Sequence, residues 1–474
     1  MSQTLEREKS VERENPADAN ERRGIRRFLN EGHGREPFLR PKARMFWYGL
    51  LGIGILVGIP GVWTRLTQGL QMTDLGPQMP WGLWISVYIF FVGLSAGAFL
   101  LSTLVYVFGM YQFETIGRAA LLSAIISMFV ALALIGMDLG ALHKFPWVFD
   151  QFHWSSPLSW EVRFYVLYIA LLIAELIIAV RLHRGMSGNP SSAKTWLKVL
   201  GIIGIPLAIV GVHGGTGSIF AVVATRSGWY GGLFPIIFVV SAMVSGTALL
   251  MAVNYWQARG TGRKPDNSLL RGLSRVLLAA VLIDMLLTFY EYFIPFLAHD
   301  ASHHRILEIQ ATGPFWWTFI IMQLLMVMVI PAIILLSPLS KKTGWIVAAA
   351  MMVVIGVFGV RLNIVIPPMI PGVIEGYPDN AYFPSFLEWS LVAFFVFGGA
   401  LLYSLVSEWQ PIHEPGIEDH HAHELVHDGD HRVAAGSAHA TTTPNGTRSN
   451  PPIRSGTHEP GPTTQIAPAE GVQS

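Results

Sequence analysis

Cysteine is absent from this sequence of 474 residues, and charged residues are scarce. Thiolate-ligated iron–sulfur clusters, covalently attached c-type haem and disulfide bonds all need cysteine sulfur, so this polypeptide cannot form any of them by itself. Asp, Glu, Lys and Arg make up 13% of the residues, whereas soluble domains carry about a quarter. Apolar residues reach 52%. A soluble protein with this apolar content would have too few charged residues to cover its surface, so the composition indicates an integral membrane protein.

The chain does contain a series of apolar runs, each long enough to cross the ~30 Å hydrocarbon core of a bilayer as a helix. Short polar or Pro/Gly-rich loops separate them. The runs lie near residues 46–66, 82–108, 118–142, 158–182, 196–224, 230–256, 270–297, 315–337, 343–366 and 386–407. The sequence therefore predicts an all-α, polytopic membrane protein with about ten transmembrane helices packed as helical bundles.

The positively charged residues predict the orientation of these helices. If the N-terminus lies inside, the inner loops hold twelve Lys and Arg residues, and the outer loops and outer helix ends hold six. Cytoplasmic loops carry the excess of Lys and Arg in membrane proteins. We therefore expect a multi-pass protein of the cell (inner) membrane with both termini in the cytoplasm. Odd-numbered helices then run outward and even-numbered helices run inward.

Two polar segments flank the predicted transmembrane domain of residues 45–407. Residues 1–44 are rich in Arg and Glu and contain no apolar run, which is typical of a flexible cytoplasmic arm. Residues 408–474 are rich in Pro, Gly, Thr, Ser and His, which predicts a disordered cytoplasmic tail. Histidine and carboxylate are suitable ligands for divalent metals, but the spacing in this His-rich tail matches no known site. We therefore predict no bound metal.

Buried polar residues form two predicted stripes. Four polar residues of the fourth helix follow one another at steps of four, three and seven, which places them on one face. They are Glu161, Tyr165, Tyr168 and Glu175. On the seventh helix, Asp284, Thr288 and Glu291 share a face. Because a charged group inside a bilayer is costly unless it forms part of a site, we predict that the stripes and one arginine at the end of the ninth helix act as a proton relay. Its members are Glu161, Tyr168, Glu175, Asp284, Glu291 and Arg361.

Another set of polar residues is predicted near the outer surface. The glycine-rich segment GVHGGTGS of the fifth helix, which we expect to bend or unwind around a cavity, carries His213 and Thr216. Asp138, Arg163 and Tyr165 lie at a similar predicted depth on the third and fourth helices. A quinone needs an apolar slot, donors for its two carbonyl oxygens and groups that transfer two protons. These five residues are of the required types, so we predict that they form a quinone site.

Other functions fit these residues less well. An intramembrane b-type haem needs two facing histidines, and only His213 lies clearly inside a span, so we predict a haem-free chain. A secondary transporter would bind an ion or small solute near the bilayer midplane, and it stays as the alternative, although nearly all polar groups fall in the outer half. A purely structural anchor would leave the stripes without a purpose. Gly93 and Gly97 fit the small-xxx-small spacing of close helix packing, and we assign them no chemistry.

Six segments resemble the NrfD/PsrC (polysulfide-reductase-type) family of membrane subunits. PWGLWISVYIFFVGLSAGAFLLS is similar to the second helix of that family, MDLGALHKF to the end of its third helix and SPLSWE to the start of its fourth. Three further segments resemble the ten-helix branch that includes the HybB subunit of hydrogenase, the DsrP subunit and the ActC subunit of alternative complex III. They are WEVRFYVLYIALLIAEL, VHGGTGSIF and VRLNIVIPP. The resemblance covers roughly residues 45–407.

The resemblance implies a haem-free subunit that binds menaquinone or another quinone in the membrane. It implies two protein partners besides membrane lipid and no nucleic acid: a catalytic oxidoreductase subunit and a 4Fe–4S ferredoxin-like protein on the extracytoplasmic face, which exchanges electrons with the quinone. Some ten-helix members are proposed to translocate protons. The residues that match polar positions of the family motifs are Asp138, Glu161, Glu175, His213 and Arg361. The segment DLGALHKF lacks the arginine that often follows DLG in the family.

Overall fold

The computed structural model describes residues 39–110, 114–372, 378–410 and 412. Within these residues, ten helices are long and apolar enough to cross a membrane, which confirms the predicted all-α polytopic fold. In chain order they are α1 (Pro41–Gln68), α2 (Leu83–Tyr106), α3 (Ile116–Asp138), α4 (Pro157–His183), α5 (Pro190–Ala221), α6 (Phe234–Thr261), α7 (Asn267–Leu297), α8 (Thr318–Leu336), α9 (Thr343–Met369) and α10 (Phe386–Trp409). The predicted arm of residues 1–44 lies outside the described residues up to residue 38. The predicted His-rich tail of residues 408–474 lies outside them apart from 408–410 and 412.

The fifth helix contains a stretch of wider, π-helical turns in the region where its glycines predict a bend or an unwound segment. An α-helical segment (Pro190–Pro206) passes into π-helical turns (Leu207–His213) and then into a second α-helical segment (Gly214–Ala221). Pro206 has no backbone N–H to donate, which disturbs the regular α-helical pattern at this point. The wider turns keep the backbone hydrogen-bonded within the helix, as a bilayer requires. Of the two expected irregularities, a bend or an unwound stretch, the chain does not unwind here, and His213 closes a widened turn.

The ten helices pack in two groups of four with one flanking pair. Helices α2–α5 form one group and α6–α9 the other, and two helices join them: α2 packs along α6 and α9, and α5 packs along α6. Helix α1 lies against α10, which also contacts α3. Almost every residue of α2 is buried. Gly97 of α2 touches the backbone of Ala242 and Gly246 on α6, so any larger residue there would push the two helices apart. This confirms the small-residue packing predicted for Gly97.

Contacts between loops define the two ends of the bundle. We call the end that holds the α1–α2, α3–α4, α5–α6, α7–α8 and α9–α10 connections the distal face. There the Arg226 guanidinium donates to the carbonyls of Pro371 (2.9 Å) and Gln78 (3.3 Å), which lie before α10 and α2. At the opposite, proximal face, Arg44 of α1 donates to the Glu408 carboxylate of α10 at 2.8 Å. Both ends of the described chain therefore lie at the proximal face.

Candidate functional site

The polar face of α4 meets α2 and α5 in a hydrogen-bonded group that we call the tyrosine cluster (Tyr88, Glu161, Tyr165 and Thr216). Tyr165 donates its hydroxyl proton to the Glu161 carboxylate at 2.6 Å. The Tyr165 hydroxyl also lies 2.5 Å from that of Tyr88 and 2.8 Å from that of Thr216. All four side chains are buried. The second carboxylate oxygen of Glu161 has no hydrogen-bond partner among the described residues, so the cluster retains one open acceptor.

The α4 stripe continues toward the proximal face, but its members are not hydrogen-bonded to one another along its whole length. The Tyr168 hydroxyl donates to the Ser95 carbonyl of α2 at 3.2 Å, and the Ser95 hydroxyl donates to the Ala124 carbonyl of α3 at 2.7 Å. Glu175 is buried two turns further on, and its Oε1 has no partner among the described residues. As the sequence predicts, Glu161, Tyr168 and Glu175 share the buried face of α4. A proton would need water to pass from Tyr168 to Glu175.

A second group lies where α5, α6 and α9 meet α2, and we call it the arginine cluster (His213, Ser241, Ser245 and Arg361). It surrounds Gly93 of α2: a Cβ atom built on that glycine would lie 3.3 Å from Arg361 Nη2, 3.4 Å from His213 Cε1 and 3.6 Å from Ser245 Oγ. Arg361 donates to Ser241 Oγ at 3.1 Å. Gly93 therefore packs against polar side chains, whereas Gly97 packs against the backbone of α6.

A cleft opens between α6, α7, α9 and a short distal helix (Ala301–Thr312). Its volume is about 830 Å³ with the open mouth included. The three residues of the predicted α7 stripe, Asp284, Thr288 and Glu291, all line it, and Ser241 connects its wall to Arg361. The other polar side chains along the cleft are Tyr292, His303, His304, Gln310, Gln323 and Asn363. The α7 carboxylates thus line the cleft, and Arg361 reaches its wall through the hydrogen bond to Ser241.

Two of the residues predicted for the quinone site lie elsewhere. Arg163 points away from the tyrosine cluster, donating to the Ser159 carbonyl at 2.6 Å and lying 4.4 Å from the centre of the Phe152 ring. Asp138 lies at the end of α3 and interacts electrostatically with Arg65 of α1 and Glu388 of α10. Of the five predicted residues, the structure brings together Tyr165 and Thr216, with His213 one turn before Thr216 on α5.

Sequence reasoning misses several members of both clusters. Tyr88 is one of few polar residues on the very apolar α2, and its partner Tyr165 is on another helix, so no spacing along α2 reveals it. Ser241 and Ser245 are four residues apart on α6 and share a face, a signal that could have identified them. Gly93 gives no chemical signal at all, because its surroundings depend on side chains from three other helices.

Comparison with curated proteins finds relatives that are membrane subunits of reductases and menaquinol oxidoreductases. A selenate reductase subunit of Mesobacillus selenatarsenatis is 35% identical over 420 residues, covering 80% of this chain and 97% of the relative. The Hdr-like menaquinol oxidoreductase integral membrane subunit of Archaeoglobus fulgidus is 28% identical, with 72% and 89% covered. The menaquinone reductase integral membrane subunit of Nitratidesulfovibrio vulgaris is 23% identical, with 78% and 91% covered.

The match to a family model has a similar extent along the chain. The model described as "Polysulphide reductase, NrfD" matches residues 71–371, which run from the loop before α2 to the loop after α9. That range contains both the tyrosine cluster and the arginine cluster. With its ten membrane-spanning helices, this chain belongs to the NrfD family of multi-pass oxidoreductase membrane subunits.

Proposed function

We propose that this chain is the quinone- or quinol-binding membrane subunit of a multi-subunit respiratory oxidoreductase. The observation that carries the proposal is the buried tyrosine cluster, with Tyr165 bonded to Glu161 and the imidazole of His213 one turn away on α5. These groups combine a hydroxyl donor, a carboxylate with an open acceptor and an imidazole inside an apolar helix bundle. Such a set suits a ligand with two oxygens that gains or loses two electrons and two protons.

The surroundings of the clusters fit a quinone ring. Phe238 of α6 packs against the His213 ring, with ring centres 5.5 Å apart, and the guanidinium of Arg361 lies 4.8 Å from the centre of the Phe238 ring. Val212 and Phe220 supply further buried apolar surface beside α5. We infer that the ring binds near the distal ends of α2, α4 and α5, with menaquinone as the class of quinone that two of the relatives are named for.

Protons reach or leave this site along the two predicted stripes. On α4 the relay comprises Glu161, Tyr168 and Glu175, and water closes the gap before Glu175. On the other side, the relay comprises Glu291 and Asp284, which line the cleft, and Arg361, whose guanidinium donates to Ser241 of the cleft wall. The arrangement supports proton exchange with both faces of the membrane. We therefore also propose that the subunit contributes to net proton translocation.

Electrons come from or go to other subunits. The chain has no cysteine, so thiolate-bound iron–sulfur clusters belong to partners. We propose a 4Fe–4S ferredoxin-like protein that docks on the distal face, beside a catalytic oxidoreductase subunit. In line with the Lys/Arg bias, we assign the distal face to the extracytoplasmic side of the cell membrane and both termini to the cytoplasm.

The test is quinol turnover by the complex purified from membranes with its partner subunits. His213→Ala should abolish turnover of dimethylnaphthoquinol while the complex stays assembled, because it removes the imidazole from the proposed ring site. His153→Ala is the matched control, since His153 is exposed on the α3–α4 connection, and it should leave turnover unchanged. Equal quinol kinetics in the two variants would overturn the proposed site.

The cleft is the observation that favours the alternative, a secondary transporter of an ion or small solute. Two carboxylates, Asp284 and Glu291, line an opening to the distal face, which suits a cation. The two functions differ in the purified material. A transporter would be isolated without iron–sulfur partners and would move solute into vesicles, whereas a membrane subunit of an oxidoreductase would be isolated together with redox proteins and would turn over quinol.

A further inference from the structure

We propose that Arg361 and His213 form a site beside Gly93 for one carbonyl oxygen of the quinone. This site stabilises the negative charge that develops on that oxygen during reduction. This inference rests on the proposed function and assigns Arg361 a second role, that of positioning and charge stabilisation at the ring. It also gives a role to Gly93, whose spacing alone indicates only helix packing.

Arg361 is a buried cation without a direct counter-charge. Its side chain is 0% exposed. Nη2 donates to the Ser241 hydroxyl, but Nε and Nη1 have no hydrogen-bond partner among the described residues. Asp284 is the acidic group with which it interacts electrostatically, yet no ion pair within 4.0 Å joins these two described side chains. A buried guanidinium with open donors is costly, and a ligand oxygen would satisfy them.

His213 is unsatisfied beside the same glycine. The imidazole is 1% exposed, and neither ring nitrogen completes a hydrogen bond with a described residue, although the backbone of Phe238 is a polar neighbour. Buried histidines in proteins usually have a partner. Arg361 and His213 belong to different helices. The atoms nearest the position of a Cβ on residue 93 are Arg361 Nη2, which shares its guanidinium with the open Nη1, and His213 Cε1, which lies between the two open ring nitrogens. Two unsatisfied polar side chains therefore converge on one glycine.

The chemistry of the step explains why a cation belongs there. Reduction of a quinone to a quinol takes two electrons and two protons, and the proposed donor of the electrons is a reduced iron–sulfur cluster of the partner protein, which is oxidised in turn. Electrons that arrive before protons leave negative charge on a ring oxygen. Arginine keeps its proton, so Arg361 stabilises this charge without being consumed, and the carboxylates and Tyr168 of the relay deliver the protons. Oxidation of a quinol follows the same steps in reverse.

The experiment compares three substitutions in the purified complex. Arg361→Gln should lower kcat for dimethylnaphthoquinol by about 100-fold or more, with KM changed by less than about threefold, as loss of one charge-stabilising donor does in other enzymes. Arg361→Lys keeps the charge and should retain about a tenth of the activity or more. Gly93→Ala puts a methyl group between Arg361 and His213 and should raise KM by about tenfold. Gly398→Ala is the control, because a Cβ there meets nothing within 4 Å.

A binding measurement separates a structural role from the proposed one. Heptyl hydroxyquinoline N-oxide carries an exposed negative oxygen, and its binding is followed by fluorescence quenching without turnover. Arg361→Gln should weaken this binding and Arg361→Lys should restore most of it. Equal loss in the Gln and Lys variants, or unchanged kcat in Arg361→Gln, would overturn the inference. If His213→Ala abolishes turnover while Arg361→Gln does not, the proposed function stands and this inference fails.

Discussion

The tyrosine cluster and the arginine cluster differ in how many of their buried polar groups are hydrogen-bonded. In the tyrosine cluster, the Tyr165 hydroxyl meets three oxygens within 2.8 Å, and one carboxylate oxygen of Glu161 remains open. In the arginine cluster, a buried cation donates to one described side chain, and its acidic neighbour Asp284 lies beyond ion-pair distance. A satisfied network fixes positions, whereas unsatisfied charge binds a ligand or transfers protons. We therefore propose that the tyrosine cluster orients groups around the quinone and that the arginine cluster supplies charge to it.

Apart from substitutions of His213 and Arg361, the largest effect is expected from breaking the tyrosine cluster at its centre. Tyr165→Phe removes the one hydroxyl shared by Glu161, Tyr88 and Thr216, so quinol turnover should fall by about 100-fold, the range for loss of an acid–base group. Steady-state kinetics of the purified complex measure this. Tyr290→Phe is the control, because Tyr290 is exposed on α7. Turnover within about twofold of the parent protein would show that the cluster serves only packing.

A smaller effect is expected from neutralising Asp284, the acidic neighbour of the arginine cluster. Asp284→Asn deprives Arg361 of its electrostatic neighbour but leaves the tyrosine cluster untouched, so turnover should fall by about tenfold, equivalent to about 1.4 kcal/mol in the barrier. Quinol kinetics at fixed pH give the value. The double variant with Tyr165→Phe tests whether the two clusters act independently. If they do, the two losses of turnover multiply. A double variant no slower than Tyr165→Phe alone would show that both clusters serve one proton route.

Thr216→Val should change the tyrosine cluster only slightly. It removes one of the neighbours of Tyr165, while the bond from Tyr165 to Glu161 persists. Interhelical hydrogen bonds in membranes contribute about 0.6 kcal/mol on average, so we expect a loss of about threefold in turnover and a small drop in thermal stability. A loss as large as that of Tyr165→Phe would mean that Thr216 itself contacts the quinone.

The smallest effect is expected at the rim of the cleft. Asp300 caps the helix Ala301–Thr312, accepting hydrogen bonds from the N–H groups of Ser302 and His303 and from the His303 ring. Asp300→Ala should destabilise this helix by about 1 kcal/mol, seen as faster hydrogen exchange there, with turnover changed by less than about twofold. Exchange as slow as in the parent protein would show that the cap is dispensable.

The same cap predicts a pH dependence. Partial burial would raise the pKa of Asp300, but the hydrogen bonds from His303 and the helix N–H groups outweigh it and hold the pKa below its usual range. A carboxyl with a lowered folded pKa stabilises the helix fully above its unfolded pKa and loses that contribution as the pH falls through the folded pKa. Exchange in residues 301–312 should therefore quicken under acid in the parent protein but not in Asp300→Ala.

Hydrophobic length and helical spacing were sufficient to predict the ten spans and the buried faces of α4 and α7, because a bilayer enforces both. They could not predict which helices meet. Asp138, Arg163 and His213 lie at similar predicted depth, yet Arg163 is turned to Phe152 and Asp138 to Arg65. The widened turns before His213 were also hidden, since glycine and proline signal an irregularity without fixing its form.

The most direct measurement is photo-affinity labelling of the purified complex with an azido-naphthoquinone, followed by identification of the labelled peptides. We expect label in α2, α4 and α5 around Tyr88, Tyr165 and His213, and displacement of that label by excess dimethylnaphthoquinol. Label confined to helices outside this group, or label that excess quinol does not displace, would contradict the proposed quinone site.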